Sequence, residues 1–272
     1  MGYTFDNAKS LTILLCLYTI HINIIVKGNE VPGTACGGIA KCLCHKTYNY
    51  YAMDCSNRSL HDVPTDIPSN VTKIDLSMNN LTSIHWNASN TATQLKAIDL
   101  SHNKLVELPE KLVWNNENLQ SIYLSMNNLT YIDWNAFITA TKLKTINLSH
   151  NKLVKLPEKL VRNNKKPQYL YISYIGLKYL PEDLLSNCSD LRALHLGNNQ
   201  LSTIPNGFFR VTPKIEFLTM SNKKFQVLNK AYFHGLTSNH YLTLSGNRMT
   251  SLPVDVFSEL QLNCYLANHL RY

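Results

Sequence analysis

Leucine and isoleucine recur along this chain at fixed offsets, and the offsets repeat every 24 residues. The apolar phrase L-x-x-L-x-L-x-x-N-x-L stands as Leu95, Ile98, Leu100, Asn103 and Leu105, and again as Leu191, Leu194, Leu196, Asn199 and Leu201. Its asparagine position is filled by Asn79, Asn103, Asn127, Asn151, Ile175, Asn199, Lys223 and Asn247, so one frame runs through eight units. Two apolar residues separated by one point to the same side of a short strand, and the remaining apolar positions turn inward behind it. A single unit cannot keep that wedge dry. Each must lean on its neighbours, which predicts one elongated, one-dimensional stack.

Units begin near Val71, Leu95, Leu119, Leu143, Pro167, Leu191, Ile215 and Asn239, with an incomplete ninth from Leu260. Residues 71–118 and 119–166 match at roughly two thirds of positions, which implies duplication of a two-unit block. Pro109, Pro157, Pro181, Pro205 and Pro253 follow the last apolar residue of the motif, so the return path reads as turns and irregular segments. Phe137, Phe209, Phe233 and Phe257 recur on that return path, with Ser89, Val113, Val161 and Leu185 in the same slot elsewhere. The asparagines should satisfy backbone groups left inside the stack where each strand ends. Ile175 and Lys223 cannot do so, and local irregularity is expected there.

The strand residues six, four and two places before the asparagine position should face solvent. They include Tyr123, Tyr169, Tyr171, His195, Phe217 and Tyr241, joined at a strand end by Tyr174. Parallel strands lie about 4.8 Å apart, so these rings are expected to form one aromatic patch, the kind of surface that anchors protein partners. Asp75 and Asp99 fall on adjacent strands, but no third ligand or histidine accompanies them. No catalytic residue, cofactor or metal is therefore assigned. His102 and His150 recur two units apart, as duplication would place them.

Composition adds compartment rather than chemistry. The formal charge is +8, but lysine and arginine are scattered without a nucleic-acid motif; the densest stretch, Lys155, Lys159, Arg162, Lys165 and Lys166, reads as a solvated convex surface. Lys9 followed by the apolar run from Leu11 reads as a signal peptide over residues 1–28, an uncleaved anchor being the alternative. Of seven cysteines, Cys16 falls in that segment, and Cys36, Cys42, Cys44 and Cys55 crowd ahead of the repeats, where spacing alone permits three pairings. Their spacing lacks the paired CxxC knuckles of structural zinc. Cys188 falls on an inward slot, whereas Cys264 falls on an exposed one and offers an intermolecular partner. Asn57, Asn70, Asn80, Asn87, Asn128, Asn147 and Asn187 each open an N-x-[ST] triplet, implying glycosylation at several sites.

Cys55, Leu60, Val63, Pro64, Ile67, Pro68, Val71, Ile74 and Leu76, preceded by the cysteine cluster, resemble the N-terminal cap of extracellular leucine-rich repeat proteins. The 24-residue units are similar to those of Toll-like receptor, Slit-type and variable lymphocyte receptor ectodomains. The resemblance implies an α/β-type leucine-rich repeat solenoid: a curved horseshoe with a parallel concave sheet and an irregular convex side. It implies that Cys36 pairs with Cys44 and Cys42 with Cys55. It also divides the chain into the signal peptide, a cap over 29–70 and repeats over 71–272, with the family's usual C-terminal cap missing after Leu260.

The expected protein is therefore a secreted or cell-surface recognition molecule, not an enzyme, that binds a protein or glycan on its concave face. A receptor ectodomain in signalling, adhesion or innate immunity fits this expectation; a structural extracellular-matrix protein is the alternative. No nucleic-acid partner is expected, and membrane attachment would need an uncleaved N-terminal segment or a region beyond Tyr272.

Overall fold

The computed structural model describes residues 34–36, 39–46, 50–65, 67–84, 92–110, 112–113, 116–158, 160–164, 166–222, 224–238, 241–258 and 260. The signal segment, Asn87, Ser89, Lys159, Lys165, Lys223 and Cys264 lie outside the described residues.

Three cap strands come first: β1 (Thr34–Cys36), β2 (Ile39–Lys46) and β3 (Tyr51–Asp54). The repeats then contribute β4 (Lys73–Asp75), β5 (Ala97–Asp99), β6 (Glu107–Leu108), β7 (Ser121–Tyr123), β8 (Tyr131–Ile132) and β9 (Thr145–Asn147). They continue with β10 (Tyr169–Tyr171), β11 (Ala193–His195), β12 (Phe217–Thr219) and β13 (Tyr241–Thr243). One 11-stranded sheet runs β1-β2-β3-β4-β5-β7-β9-β10-β11-β12-β13. The cap pairs antiparallel from β1 to β2 and from β2 to β3, and β3 then opens the parallel stack against β4. From β4 onward every residue pairs with the one 24 places later, as in Tyr169 with Ala193 and Phe217 with Tyr241. Disulfides join Cys36 to Cys44 and Cys42 to Cys55, so β1, β2 and the residue after β3 are cross-linked where the core would otherwise begin open.

The fold class needs one correction. Among the described residues there is no α-helix; the only helical segment is a 3-10 turn at Lys230–Phe233, so the molecule is a curved β-solenoid and not an α/β horseshoe. The reason lies in the return path. Leu160, Leu184, Phe208 and Val256 each donate their N–H to the carbonyl of the proline three residues earlier, Pro157, Pro181, Pro205 and Pro253. Each proline thus starts an i→i+3 turn, and the turns that follow it, such as Ser186 N to Asp183 O and Cys188 N to Leu185 O, are of the same kind, so the return path is a run of i→i+3 turns and not an α-helix.

Behind the sheet the core is a set of columns, one residue per unit. Leu76, Leu100, Leu124, Leu148, Ile172, Leu196, Met220 and Leu244 form one such column and are all buried. Phe209 and Phe233 are buried on the return side, and Phe233 meets Phe257 at 5.4 Å between ring centroids. Val161 and Leu185 separate Phe137 from that group, so the aromatic column is continuous only toward the C-terminal end.

The asparagine positions form a second ladder. Asn103 Nδ2 donates to Leu76 O at 2.9 Å and Leu100 O at 3.1 Å, while its Oδ1 accepts from Leu81 N at 3.1 Å. One amide therefore ties together a strand end, the preceding strand end and the previous turn. At Ile175 the ladder is interrupted. Asn199 Oδ1 accepts from Leu177 N as its ordinary rung and from Ile175 N in addition, Gly176 takes a left-handed φ of 82°, and Lys178 N reaches back to Val154 O.

Candidate functional site

The concave face is built from three columns of strand side chains. In the middle column Asp54, Asp75, Asp99, Tyr123, Asn147, Tyr171, His195, Thr219 and Thr243 stand side by side in register. Polar and acidic character dominates the first strands, and aromatic character the later ones.

The acidic end contains a residue that sequence reasoning missed. Asp54, in the cap, lies beside Asp75, which lies beside Asp99. Each carboxylate is engaged at its own strand end: Asp54 Oδ1 accepts from Ser56 N at 2.9 Å, Asp75 Oδ1 from Ser77 N at 2.9 Å and Asp99 Oδ1 from Ser101 N at 2.8 Å. The signal was legible, because Asp54-Cys55-Ser56 repeats the phrase Asp75-Leu76-Ser77. Burial pushes the Asp99 carboxyl up to about 6, the bond with Ser101 acting in the opposite direction and the Asp75 charge adding to the rise. Asp75 is raised as well, by burial first and by Asp54 in addition. Lys73, beside this row, sits 4.4 Å from the Tyr50 ring centroid. Among the described residues no group of three His, Cys, Asp or Glu side chains is arranged to hold a metal.

The aromatic end is resolved into pairs. Tyr171 and His195 stack at 4.8 Å with an interplanar angle of 23°, and Phe217 meets Tyr241 at 6.3 Å. His195 Nδ1 lies 3.5 Å from Thr219 Oγ1. Tyr169 is half-buried on the same strand as Tyr171, separated from Phe217 by the small, buried Ala193. Tyr123 stands apart: Asn147 occupies the strand between it and Tyr171, and the ring is only 8% exposed.

Tyr174 belongs to a further column. Met78, His102, Met126, His150, Tyr174, Asn198 and Asn222 all adopt left-handed backbone with φ between 52° and 56°, and Gly246 follows at 70°. This is the position immediately before the asparagine, where the chain must turn out of the strand. At Gly246 a Cβ would fall 1.8 Å from Asn222 Oδ1, so a larger residue there would displace the Asn222 side chain. The turn lifts these side chains to the rim of the concave face, where His150 and Tyr174 stack at 4.3 Å. Burial lowers the His150 pKa, with His102 contributing. In sequence the column is marked only at its end, by Asn198, Asn222 and Gly246, residues that tolerate left-handed backbone.

The triplet asparagines fall in different environments. Asn57, Asn70 and Asn187 are exposed, Asn80 and Asn128 are half-buried, and Asn147 is 7% exposed within β9. Cys188 is fully buried and unpaired, and burial pushes its thiol up to about 12. No helix among the described residues is long and apolar enough to cross a membrane.

A solenoid of 24-residue units, laddered by buried carboxamides and closed at its start by two disulfides, defines the class as a capped repeat protein that presents a rigid concave sheet. The chain matches the leucine rich repeat pattern over residues 69–129 and 117–174, and the BspA type leucine rich repeat region over 162–268. It belongs to the leucine-rich repeat family, and it resembles the extracellular branch that includes Toll-like receptor and Slit-type ectodomains.

Oligodendrocyte-myelin glycoprotein of Homo sapiens is 33% identical over 87 residues, covering 31% of this chain and 19% of that protein. Leucine-rich repeat-containing protein 3 of Rattus norvegicus is 34% identical over 64 residues, covering 24% of this chain and 25% of that protein. The chain thus spans a quarter or less of the length of these curated relatives. Among solved structures, human 5T4 (Wnt-activated inhibitory factor 1, trophoblast glycoprotein) superposes with a TM-score of 0.66 at 26% identity, over 79% of this chain and 82% of that one. Toll, in its Drosophila complex with Spatzle, superposes with a TM-score of 0.69 at 24% identity, over 78% of this chain and 30% of that one. TLR13, solved with the RNA ssRNA13, gives 0.63 at 23% identity over 73% and 29%. The last two share the fold alone.

Proposed function

We propose that this protein is an extracellular recognition molecule that binds a protein partner on the aromatic half of its concave face, without catalysis. The observation that carries the reading is the Tyr171–His195 stack beside the Phe217–Tyr241 pair, mounted on consecutive strands of one sheet. Half-exposed aromatic rings held on rigid strands lose little conformational entropy on binding, which is what an interface anchor requires. The carboxylates at the other end serve strand termination, each accepting from a serine N–H two residues on. They supply a negative margin to the same surface, which favours a partner with cationic groups at that end. Secretion or display on the cell surface follows from the cap disulfides, which persist in oxidising compartments. The complex of Toll with Spatzle is a precedent for a protein ligand on this fold. TLR13 with ssRNA13 shows that the fold also accommodates RNA, so a ligand screen includes single-stranded RNA.

Replacing Tyr171 and Phe217 together with alanine tests the reading on a partner isolated with the full chain. Truncation of interface anchors costs about 2 kcal/mol or more of binding energy each, while both rings are partly exposed and their loss should leave thermal unfolding nearly unchanged. Undiminished affinity, or loss of folding in step with binding, would refute the concave site. A matrix role would show itself differently, as binding to sulfated glycans that salt abolishes and the double variant leaves intact.

A further inference from the structure

Away from the concave face, β6 and β8 form a separate two-stranded parallel ladder on the flank of the solenoid. Extended by one more unit, the register that pairs Glu107 with Tyr131 would bring Lys155–Leu156 alongside β8, but the described residues form no strand there. Proline chemistry accounts for the stop. Asp133 N donates to Leu108 O at 3.0 Å to close the β6–β8 ladder, and the equivalent residue of the next unit is Pro157, which has no N–H to give to Ile132. The ladder therefore ends at β8, and its outer edge borders a groove of about 640 Å³ that extends across the two following units.

Three large rings line that groove and remain open to solvent: Tyr131 at 50%, Trp134 at 56% and Tyr179 at 56% exposure. Pro157 and Pro181 supply rigid apolar walls between them. Among the described lining residues the charged ones are Glu158, Glu182 and Asp183 with Lys155, a net negative set in a chain whose overall charge is +8. Tyr131 contacts Asp133 Oδ2 at 3.4 Å, and its phenol is raised by partial desolvation first and then by the Asp133 and Glu107 carboxylates. Aromatic faces beside carboxylates, in an open groove with proline walls, are complementary to a cationic side chain carried on an extended segment.

We infer that this flank groove is a second docking site, independent of the concave face, for an extended segment of a partner protein that presents an arginine or lysine. The cationic head sits over the Trp134 and Tyr179 rings within reach of Glu182 and Asp183. The peptide lies along the groove, over the Pro157 and Pro181 walls.

The test uses the full chain and fluorescence anisotropy of labelled extended peptides: one with a central Leu-Arg-Leu, and the same peptide with citrulline in place of arginine. The arginine peptide should bind and weaken as salt rises, and the citrulline peptide should bind about tenfold more weakly, the scale of one charged contact. Trp134→Ala, and separately Glu182→Gln with Asp183→Asn, should each weaken the arginine peptide by about tenfold. All of these side chains are exposed, so unchanged thermal unfolding of the variants serves as the folding control. The concave double variant Tyr171→Ala with Phe217→Ala should bind the peptide as the parent does, which separates this site from the one proposed above. Absence of binding, equal binding of the citrulline peptide, or loss of binding in the concave variant would each overturn the inference.

Discussion

Asn147 Oδ1 accepts a hydrogen bond from Ser149 N at 3.0 Å, the same bond that Asp75 makes with Ser77 and Asp99 with Ser101. The triplet Asn147-Leu148-Ser149 is thus one instance of a strand-ending phrase in which an Asx side chain caps the backbone two residues on. The same triplet also reads as a glycosylation acceptor. Once the solenoid has formed, the amide is 7% exposed inside a sheet, beyond reach of a transferase.

Glycopeptide mapping of the secreted protein should therefore find Asn57, Asn70 and Asn187 occupied and Asn147 bare, following their exposure. Removal of glycans in heavy-oxygen water marks each occupied site by its mass. A marked Asn147 would mean that modification precedes formation of β9.

Asp99 should make the protein less stable as pH rises. Its folded pKa of about 6 lies above the ordinary 3.8 because burial disfavours the charge. Below that ordinary value the group is protonated in both states and contributes no penalty. Between there and 6 the unfolded chain ionises ahead of the folded one, so stability falls across that interval and is level above it. Two pH units correspond to about 3 kcal/mol, an upper scale. Asp99→Asn keeps the bond to Ser101, as Asn147 keeps its bond to Ser149, and removes the charge. In a host without N-glycosylation, the variant should match the parent near pH 4 and exceed it in melting temperature at pH 7. A difference independent of pH would contradict the assignment.

How far these features could be read in advance depends on the distance over which each is determined. The register, the buried columns and the positions of Tyr171, His195 and Phe217 follow from periodicity, because in a stack each unit meets only its neighbours. The return path was harder. Pro157 and Pro181 were visible as turn residues, but that each opens a run of i→i+3 turns and not an α-helix depends on where the next strand pulls the chain. Asp54 was overlooked because the cap breaks the 24-residue ruler: Ala52 pairs with Lys73 across 21 residues, so counting back from Asp75 misses it. The flank groove depends on Pro157 lacking an N–H that Asp133 possesses, a difference between two units that a consensus motif hides.

Cys188 should be inert in the native state. It is fully buried and its thiol is raised to about 12, so the thiolate needed for alkylation is scarce at neutral pH. Iodoacetamide should modify it only after denaturation, as read by mass. Labelling of the folded protein at the unfolded rate would place the side chain elsewhere.

The amide ladder should carry stability out of proportion to its size, and Asn127 is the place to measure it. Its Nδ2 donates to Leu100 O at 2.9 Å and Leu124 O at 3.1 Å, and its Oδ1 accepts from Leu105 N at 3.0 Å. Asn127→Ala removes all of these bonds while the backbone groups stay inside the stack. Leu100 O keeps its bond from Asn103 Nδ2 and Leu124 O its bond from Asn151 Nδ2, so Leu105 N is the group left unpaired, at about 1–3 kcal/mol, and each kcal/mol lowers the melting temperature by about 2–4 °C in a protein of this size. Asn118→Ala, which removes a surface amide bonded to Thr93 O, is the control and should change little. The sharper readout is hydrogen exchange at Leu105, whose N–H loses its acceptor in the variant and should exchange faster than in the parent. If Leu105 stays equally protected and the melting temperature holds, the backbone has found other partners and the ladder is ornamental.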